Sequence, residues 1–255
     1  MLERVTAELL AETFLSKRFL ENLSEASKIT NETYNETGFF SCWDTSSEEI
    51  SIGQVSEGNY LGMKTEGLND AQRYPSLSGI LLVDLHTHPI QEGPVVPSDE
   101  DLYLVMHRDE KNVYDNKTNR WMDLRINPIC AIGKVGEKRN VELLLYNANG
   151  NLHEGDIESV DRKIIEYLDK KGIDAYEEYI SKSNIKTSEI KRLMEDSGHY
   201  NAEILQYSPE IHVPGGRNEF RESNLNKFRN KLKKFEYEIR YSDSDTSFID
   251  SLGFR

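Results

Sequence analysis

The chain has 255 residues, 37% of them hydrophobic and 30% charged, and carries a formal net charge of -14 at pH 7. This composition predicts a soluble globular protein with one large or two small domains, and the excess of acidic residues argues against a nucleic-acid partner. No run of about 18 apolar residues occurs, so no membrane span and no membrane partner are predicted.

The N-terminus and the cysteines bear on the cellular compartment. Acidic residues are spread through residues 1–19, so this segment does not resemble a signal peptide. The two cysteines, Cys42 and Cys130, are too few for a disulfide framework and are predicted to be buried thiols. We therefore expect a cytoplasmic protein.

The first half of the chain alternates apolar runs with turns. The run GILLVDL at residues 79–85 is continuously apolar except for Asp84, which is typical of a central strand buried on both faces. Strands are predicted at residues 39–43, 49–55, 79–85, 126–135 and 141–146, and helices at 14–28 and 98–107. Strands mixed with helices in this order predict an α/β (α+β) fold, a mixed β-sheet domain flanked by helices over residues 1–150.

The second half of the chain has a different pattern. The turn-forming run NANGN at residues 147–151 marks a boundary. Helices are predicted beyond it at residues 156–171, 174–182, 187–196 and 217–234. Residues 151–255 are therefore predicted to form a mostly helical C-terminal extension. It contains no chemical motif, and it could dock a partner or complete a homo-oligomer.

Two histidines stand one residue apart in the stretch LHTHP, at the end of the predicted central strand. Alternate residues of a strand point to the same face, so His86 and His88 can both reach one ion. Ser98 and Asp101 follow at the start of a predicted helix, in the spacing of a capping box. A capped helix needs no metal, so the pattern alone leaves two readings, a helix cap and a metal site.

Two imidazoles and a carboxylate would supply three ligands for a divalent ion. Zinc is the usual choice, and three protein ligands with a fourth position for water are the catalytic pattern. Such an ion lowers the pKa of its water toward neutrality. The site then needs a general base near that water and a hydrogen-bond donor for the developing oxyanion.

The run His86-Thr87-His88-Pro89, followed by Pro97-Ser98 and Asp101, resembles the signature of the JAMM (MPN+) metalloproteases, H-(S/T)-H-P…P-S-x-x-D. That family also carries an upstream glutamate in an E-T-G-G context, and Glu36-Thr37-Gly38 supplies E-T-G here. The resemblance covers residues 5–147.

The resemblance implies an MPN-type fold in which His86, His88 and Asp101 bind zinc. It also implies that Glu36 takes a proton from the zinc-bound water and delivers it to the leaving amine, and that Ser98 hydrogen-bonds the oxyanion. Substrates of the family are often ubiquitin-like proteins, including sulfur-carrier relatives, cut after a C-terminal glycine. Their tails add to a sheet edge, and we predict residues 58–78 to be the flap that receives the tail.

Three departures from the family pattern concern the rim of the site. The loop of nine residues from Pro89 to Pro97 is longer than the family's usual loop. Phe39 replaces the second glycine, and Asp84-Leu85 replaces the common aromatic pair before the first histidine. These changes bear on substrate fit more than on metal binding. Glu32, in the parallel phrase Asn-Glu-Thr, competes with Glu36 as the base.

Two other classes of protein remain as alternatives. Many proteins with the MPN fold are non-catalytic scaffolds, but these normally lose a metal ligand, whereas this chain keeps every one. His86-Thr87-His88 with Glu92 also fits the cupin motif H-x-H-x(3,4)-E, although no second histidine motif follows. The sequence does not identify the modifier protein, the residue after the cut, the pathway or the oligomeric state.

Overall fold

The computed structural model describes residues 4–44, 47–58, 79–88, 93–107, 110–115, 120–135, 141–173, 185–207 and 222–243. Its elements are, in chain order, β1 (Arg4–Val5), α1 (Ala7–Leu15), α2 (Lys17–Thr33), β2 (Thr37–Asp44), β3 (Glu49–Ile52), β4 (Ser56–Glu57), β5 (Gly79–His88), α3 (Asp99–His107), β6 (Glu110–Asp115), β7 (Arg120–Arg125), β8 (Ile129–Val135), β9 (Val141–Ala148), α4 (Glu154–Lys170), α5 (Thr187–Asp196), β10 (Tyr200–Tyr207), α6 (Glu222–Leu232), a 3-10 turn (Lys233–Phe235), β11 (Tyr237–Glu238) and β12 (Arg240–Asp243).

A mixed seven-stranded sheet forms the centre of the structure. Its strand order is β10-β9-β8-β5-β2-β3, and β4 also pairs with β2. Only the β5–β8 pair of this sheet is parallel, and the other pairs are antiparallel. Two small sheets accompany it, β1-β11 and β12-β7-β6. The predicted fold class, a mixed sheet flanked by helices, is confirmed.

Helices cover both faces of the sheet and divide the core in two. One apolar cluster packs α1, α2 and α6 against one face, and its largest members include Phe14, Phe19 and Phe39. The other cluster packs α3, α4 and α5 against the opposite face, around Tyr146 and Tyr200. Alternate residues of β8 and β9 contribute to the two clusters, as the side-chain alternation of a strand requires.

Strand β5 and helix α2 show why these elements form where they do. Every residue of β5 after Gly79 is buried, as expected for a strand covered by helices on both faces. Helix α2 buries Phe19, Leu23, Ala26 and Thr30, which follow helical spacing. The Ser16 side chain caps its first turn by accepting the Phe19 N–H at 3.2 Å.

Most predicted elements of the described chain are confirmed within a few residues. The predicted helix at 217–234 is shorter, since α6 covers Glu222–Leu232 and a 3-10 turn follows. The prediction at 174–182 lies outside the described residues. Helix α1, the hairpin β6–β7 and strand β10 are additions to the predicted elements.

Strand β10 lies within the segment predicted to be a C-terminal extension. It pairs with β9 over its whole length, from Tyr200 opposite Ala148 to Tyr207 opposite Val141. Residues 151–255 thus contribute one strand to the main sheet and helices to both of its faces. Within the described ranges, no helix combines the length and the apolar character that a membrane crossing needs.

Candidate metal centre

The two histidines of the LHTHP stretch end strand β5 with their rings side by side. The His86 and His88 Nε2 atoms lie 3.1 Å apart. His86 pairs with Ile132 of β8 across the parallel ladder, and Ile132 belongs to the apolar cluster beneath α3. The alternation of the strand therefore turns both imidazoles toward helix α3 and turns Thr87 between them to the opposite face.

Asp101 approaches the histidines from the first turn of α3. Its Oδ1 atom is 3.1 Å from His86 Nε2, and its Oδ2 atom is 3.5 Å from His88 Nε2. Asp101 Oδ2 also accepts the Ser98 N–H at 2.8 Å, while Ser98 Oγ accepts the Asp101 N–H at 3.1 Å. The capping box is therefore present, and it holds the carboxylate beside the imidazoles. The two readings of the sequence pattern are compatible.

These three residues form a set that could hold a metal ion. His86, His88 and Asp101 expose only 6%, 8% and 7% of their surface, and their nearest ligand atoms all lie within 4.8 Å of one another. Ligand atoms placed about 2.0–2.2 Å from a tetrahedral zinc ion lie about 3.3–3.6 Å from one another. The two imidazole nitrogens are 3.1 Å apart, close to that spacing, while His86 approaches Asp101 Oδ1 at 3.1 Å and His88 approaches Asp101 Oδ2 at 3.5 Å. The three residues could therefore hold a metal ion.

The charges of the set are strongly coupled. Burial opposes the charged form of His86, but the charge of Asp101, its hydrogen bond and nearby Glu36 outweigh burial and raise the pKa of His86 to about 9. Burial, opposed by Asp101 and reinforced by His86, lowers the pKa of His88 to about 4. Burial alone would raise the pKa of Asp101, but the two histidines and the Ser98 N–H hold it well below its ordinary value. In the metal-free protein, these shifts favour a protonated His86, a neutral His88 and an ionised Asp101 near neutral pH.

Glu36, the residue immediately before strand β2, lies beside the two histidines and Asp101. Its Oε1 atom is 3.7 Å from His88 Nε2. Burial, opposed by His86 and reinforced by Asp101, raises the pKa of Glu36 to about 7. A carboxylate that titrates near neutral pH can accept and release a proton there. Glu32, the competing base, is exposed in the last turn of α2.

Ser98 lies at the N-cap of α3, where its carbonyl accepts the Leu102 N–H at 3.1 Å. Its hydroxyl oxygen accepts the Asp101 N–H, and this bond does not use the hydroxyl hydrogen. The cap thus fixes the oxygen of Ser98 and leaves a donor for a further acceptor.

Residues from strands β9 and β10 and from helix α5 support Asp101 and the segment before it, and no sequence motif predicts this support. The Tyr146 hydroxyl donates to the Asp101 carbonyl at 3.0 Å, and the Tyr200 hydroxyl donates to the Leu102 carbonyl at 3.3 Å. Thr187, at the start of α5, accepts the Val95 N–H at 3.0 Å in the segment that leads to α3. Tyr146 and Tyr200 are buried in the neighbouring strands β9 and β10. In the sequence each is a single tyrosine, which does not indicate a bond to α3.

The other residues considered in the sequence analysis are not part of the described metal centre. Cys42 lies opposite Leu81 in β5, at the other end of the strand from the histidines, and burial raises the pKa of its thiol to about 11. Neither cysteine is in a disulfide; Cys130 is buried as predicted, whereas Cys42 is only partly buried, which corrects the prediction for that residue. Glu92 of the cupin alternative and the predicted flap, from residue 59 onward, lie outside the described residues.

Comparison with known proteins adds no relative. A scan against protein-family models, a search of curated proteins and a search of solved structures each returned no match.

Proposed function

We propose that this chain is a zinc-dependent peptidase or isopeptidase of the JAMM type. One observation carries the proposal: Glu36 is placed beside the set of His86, His88 and Asp101, and the four residues come from the region of β2, from β5 and from α3. A partly buried carboxylate with a pKa of about 7 next to a metal-competent set is what hydrolysis at neutral pH needs.

Zinc is the metal that this donor set favours. Imidazole nitrogens suit zinc, whereas magnesium and calcium prefer sites built from oxygen ligands. When bound, zinc supplies a Lewis acid that lowers the pKa of a coordinated water and polarises a carbonyl oxygen. Two imidazoles and one carboxylate leave a coordination position open for that purpose.

Glu36 moves the proton in the proposed reaction. Its carboxylate accepts a proton from the attacking water as the carbon–oxygen bond forms. It then gives this proton to the amine nitrogen as the carbon–nitrogen bond breaks. Burial raises the pKa of Glu36, which favours acceptance of that proton by its carboxylate. The products are a carboxylic acid and a free amine.

Ser98 is proposed to stabilise the charge that develops on the carbonyl oxygen. Its hydroxyl oxygen is fixed by the capping box, so the hydrogen can be presented in a defined direction. A donor that is already oriented costs no reorganisation when the charge develops, and this is the source of its catalytic value.

The proposed substrates are ubiquitin-like or sulfur-carrier-like proteins cut after a C-terminal glycine. The support for this class is the likeness of the residues around Glu36 and His86 to the JAMM signature. A tail that ends in glycine fits a buried site, because glycine brings the scissile carbonyl close to the metal without a side chain.

The proposal is tested by mass spectrometry of reaction products. The zinc-loaded protein is incubated with a panel of ubiquitin-like conjugates and C-terminally extended carriers, and a chelator-treated sample serves as the control. We expect a new C-terminal glycine in at least one substrate with zinc and none without it. If the zinc-loaded protein binds a carrier protein but cuts no member of the panel, a scaffold role replaces the proposed activity.

A further inference from the structure

Three buried threonine hydroxyls meet on the face of the sheet opposite the candidate metal centre. Thr30 comes from α2, Thr37 from β2 and Thr87 from β5, and none exposes more than 1% of its surface. Their Oγ1 atoms form a closed triangle with separations of 2.5 Å between Thr30 and Thr87, 2.7 Å between Thr30 and Thr37, and 2.8 Å between Thr37 and Thr87. We call this group the threonine cluster.

The threonine cluster joins the strand that follows the proposed base to the strand of the proposed ligands. Thr37 is the next residue after Glu36, and Thr87 stands between the two histidines. The two threonines are directly opposed in the β2–β5 ladder. The Thr87 hydroxyl lies 3.1 Å from the Thr37 carbonyl, and the Thr37 hydroxyl lies 2.9 Å from the Ala26 carbonyl of α2. Both strands are thereby tied to one helix.

Packing restrains the cluster from a third side. Gly133 of β8 is the ladder partner of Thr87. A Cβ atom at residue 133 would lie 3.0 Å from Thr87 Cγ2 and 3.1 Å from Leu143 Cδ2. An alanine at residue 133 would therefore press against the methyl group of Thr87, so the two positions are coupled by packing.

Stability alone does not account for three hydroxyls in this place. A buried hydroxyl costs free energy unless it is hydrogen-bonded, and apolar side chains of the same shape would pack at similar or better stability. A hydrogen-bonded group differs from an apolar one in fixing direction as well as distance. Such a directional restraint is useful here, because Glu36 and the two histidines, on the other face of the sheet, must keep a fixed distance from one another.

We propose that Thr30 is a positioning residue for the metal centre. It has no place in the JAMM signature, and its hydroxyl hydrogen-bonds to Thr37 and Thr87, which neighbour the base and the histidines in the chain. Through Thr37 and Thr87 it sets the spacing between the β2 segment that carries the base and the β5 residues that carry the imidazoles. This inference rests on the proposed function, because it assigns the cluster to the assembly of that same metal centre.

The test measures the affinity for zinc ions alone, by competition with a chromophoric chelator, in Thr30→Val and Thr30→Ser. Valine keeps the shape and loses the hydroxyl, whereas serine keeps the hydroxyl and loses a methyl group. We expect the zinc Kd to weaken about tenfold or more in Thr30→Val, the usual scale when a group behind a metal ligand is lost. Thr30→Ser keeps the hydroxyl, so its zinc Kd should stay close to that of wild type.

Thr13→Val is the matched control. Thr13 is also a fully buried helical threonine, and its hydroxyl donates to the Leu9 carbonyl at 2.9 Å, away from the cluster. Thr13→Val should leave the zinc Kd unchanged, and the only effect expected is a lower melting temperature. A folded Thr30→Val protein that binds zinc as tightly as wild type overturns the proposal.

Gly133→Ala decides the matter if Thr30→Val does not fold. Alanine presses on the Thr87 methyl group without removing a hydrogen bond, and Thr87→Ser removes that methyl group. The proposal expects Gly133→Ala to weaken zinc binding and the double variant to regain part of the loss. An unchanged zinc Kd in Gly133→Ala overturns it. If the wild-type protein binds no zinc, the proposed function fails and this inference fails with it. If the wild-type protein binds zinc and the variants bind it equally tightly, only this inference fails.

Discussion

Asp101 uses its two carboxylate oxygens for two purposes. Oδ2 accepts the Ser98 N–H of the helix cap, and Oδ1 lies beside His86. The cap therefore orients a proposed ligand, and the ligand strengthens the cap, because a carboxylate in the first turn of a helix also favours the helix dipole. A sequence pattern that reads as a simple capping box thus serves the candidate metal centre.

Zinc affinity should depend on pH mainly through the proton of His86. In the metal-free protein His86 is protonated below a pKa of about 9, whereas His88, with a pKa of about 4, is already neutral. Zinc must displace the His86 proton, so its affinity should rise about tenfold per pH unit between pH 6 and 8. Calorimetry in buffers of different protonation enthalpy should show at least about one proton released per zinc at pH 7, from His86 and in part from Glu36. Release of no proton would contradict the assigned ligand set.

Ser98 variants separate the cap from the proposed oxyanion donor. Ser98→Ala should lose about 1 kcal/mol of stability with the cap and about 10²–10³ in kcat with the donor. Ser98→Asp keeps a cap but brings negative charge toward the oxyanion. Its kcat should therefore fall as much as that of Ser98→Ala, while its melting temperature stays closer to that of wild type. Full activity in folded Ser98→Asp would limit Ser98 to its role in the helix.

At the scale of elements, the antiparallel pairing of β2 with β5 brings Glu36 to the histidines. The ladder sets Thr37 opposite Thr87, so the residue before β2 lies next to the end of β5. Sequence patterns predicted both strands from apolar runs and predicted α3 from its cap. They could not predict the pairing, since register depends on contacts between segments far apart in the chain.

Strand β10 shows the limit of local patterns more clearly. Its alternation of apolar and polar residues is weak, with Ile204 next to Leu205, and its stability comes from eight paired positions along β9. The support that Tyr200 gives to α3 follows from this pairing alone. Tertiary contacts of this kind carry little signal in a single sequence.

Tyr200→Phe should destabilise the protein by about 1 kcal/mol, because it removes the hydrogen bond to the buried Leu102 carbonyl. Its zinc Kd should weaken by a few fold, since the first turn of α3 loses a restraint. Chemical denaturation and chelator competition measure the two effects. Tyr207→Phe on the same strand is the control, because among the described residues the buried Tyr207 hydroxyl has no hydrogen-bond partner. Equal losses in both variants would show that the Tyr200 bond has no particular value.

At the scale of the whole molecule, both halves of the chain build one layered structure around the central sheet. Residues 36–101 supply the proposed ligands and base, strand β9 supplies Tyr146, and the segment after residue 150 supplies Tyr200 and Thr187 behind α3. The sequence predicted the fold class and the residues that converge. It did not predict the role of α4, α5 and β10, because that role consists of packing and of hydrogen bonds to backbone groups, such as those of Thr187 and Tyr200.

The stability of the metal-free protein should fall as pH rises. The folded-state pKa of His86, about 9, is above its ordinary value of 6.5, so its stabilising contribution is complete below pH 6.5 and is lost as pH rises through 9. Glu36, with a raised pKa of about 7, acts in the same direction up to that pH. The loss should be on the order of 1–3 kcal/mol, and saturating zinc should abolish it. Denaturation at pH 6.5 and 9, with and without chelator, measures it, and a metal-free protein that is more stable at pH 9 contradicts the assigned charges.

Glu36→Gln tests the proposed activity most directly. Glutamine keeps the shape of the side chain but cannot accept a proton, so the loss should fall on the chemical step and not on zinc content or folding. Glu32→Gln, in the exposed last turn of α2, is the matched control. Cleavage of a C-terminally extended ubiquitin-like substrate is measured by mass spectrometry for both zinc-loaded variants. We predict a loss of about 10²–10⁴ in kcat for Glu36→Gln and wild-type activity for Glu32→Gln. Wild-type cleavage by Glu36→Gln with zinc bound would contradict the account.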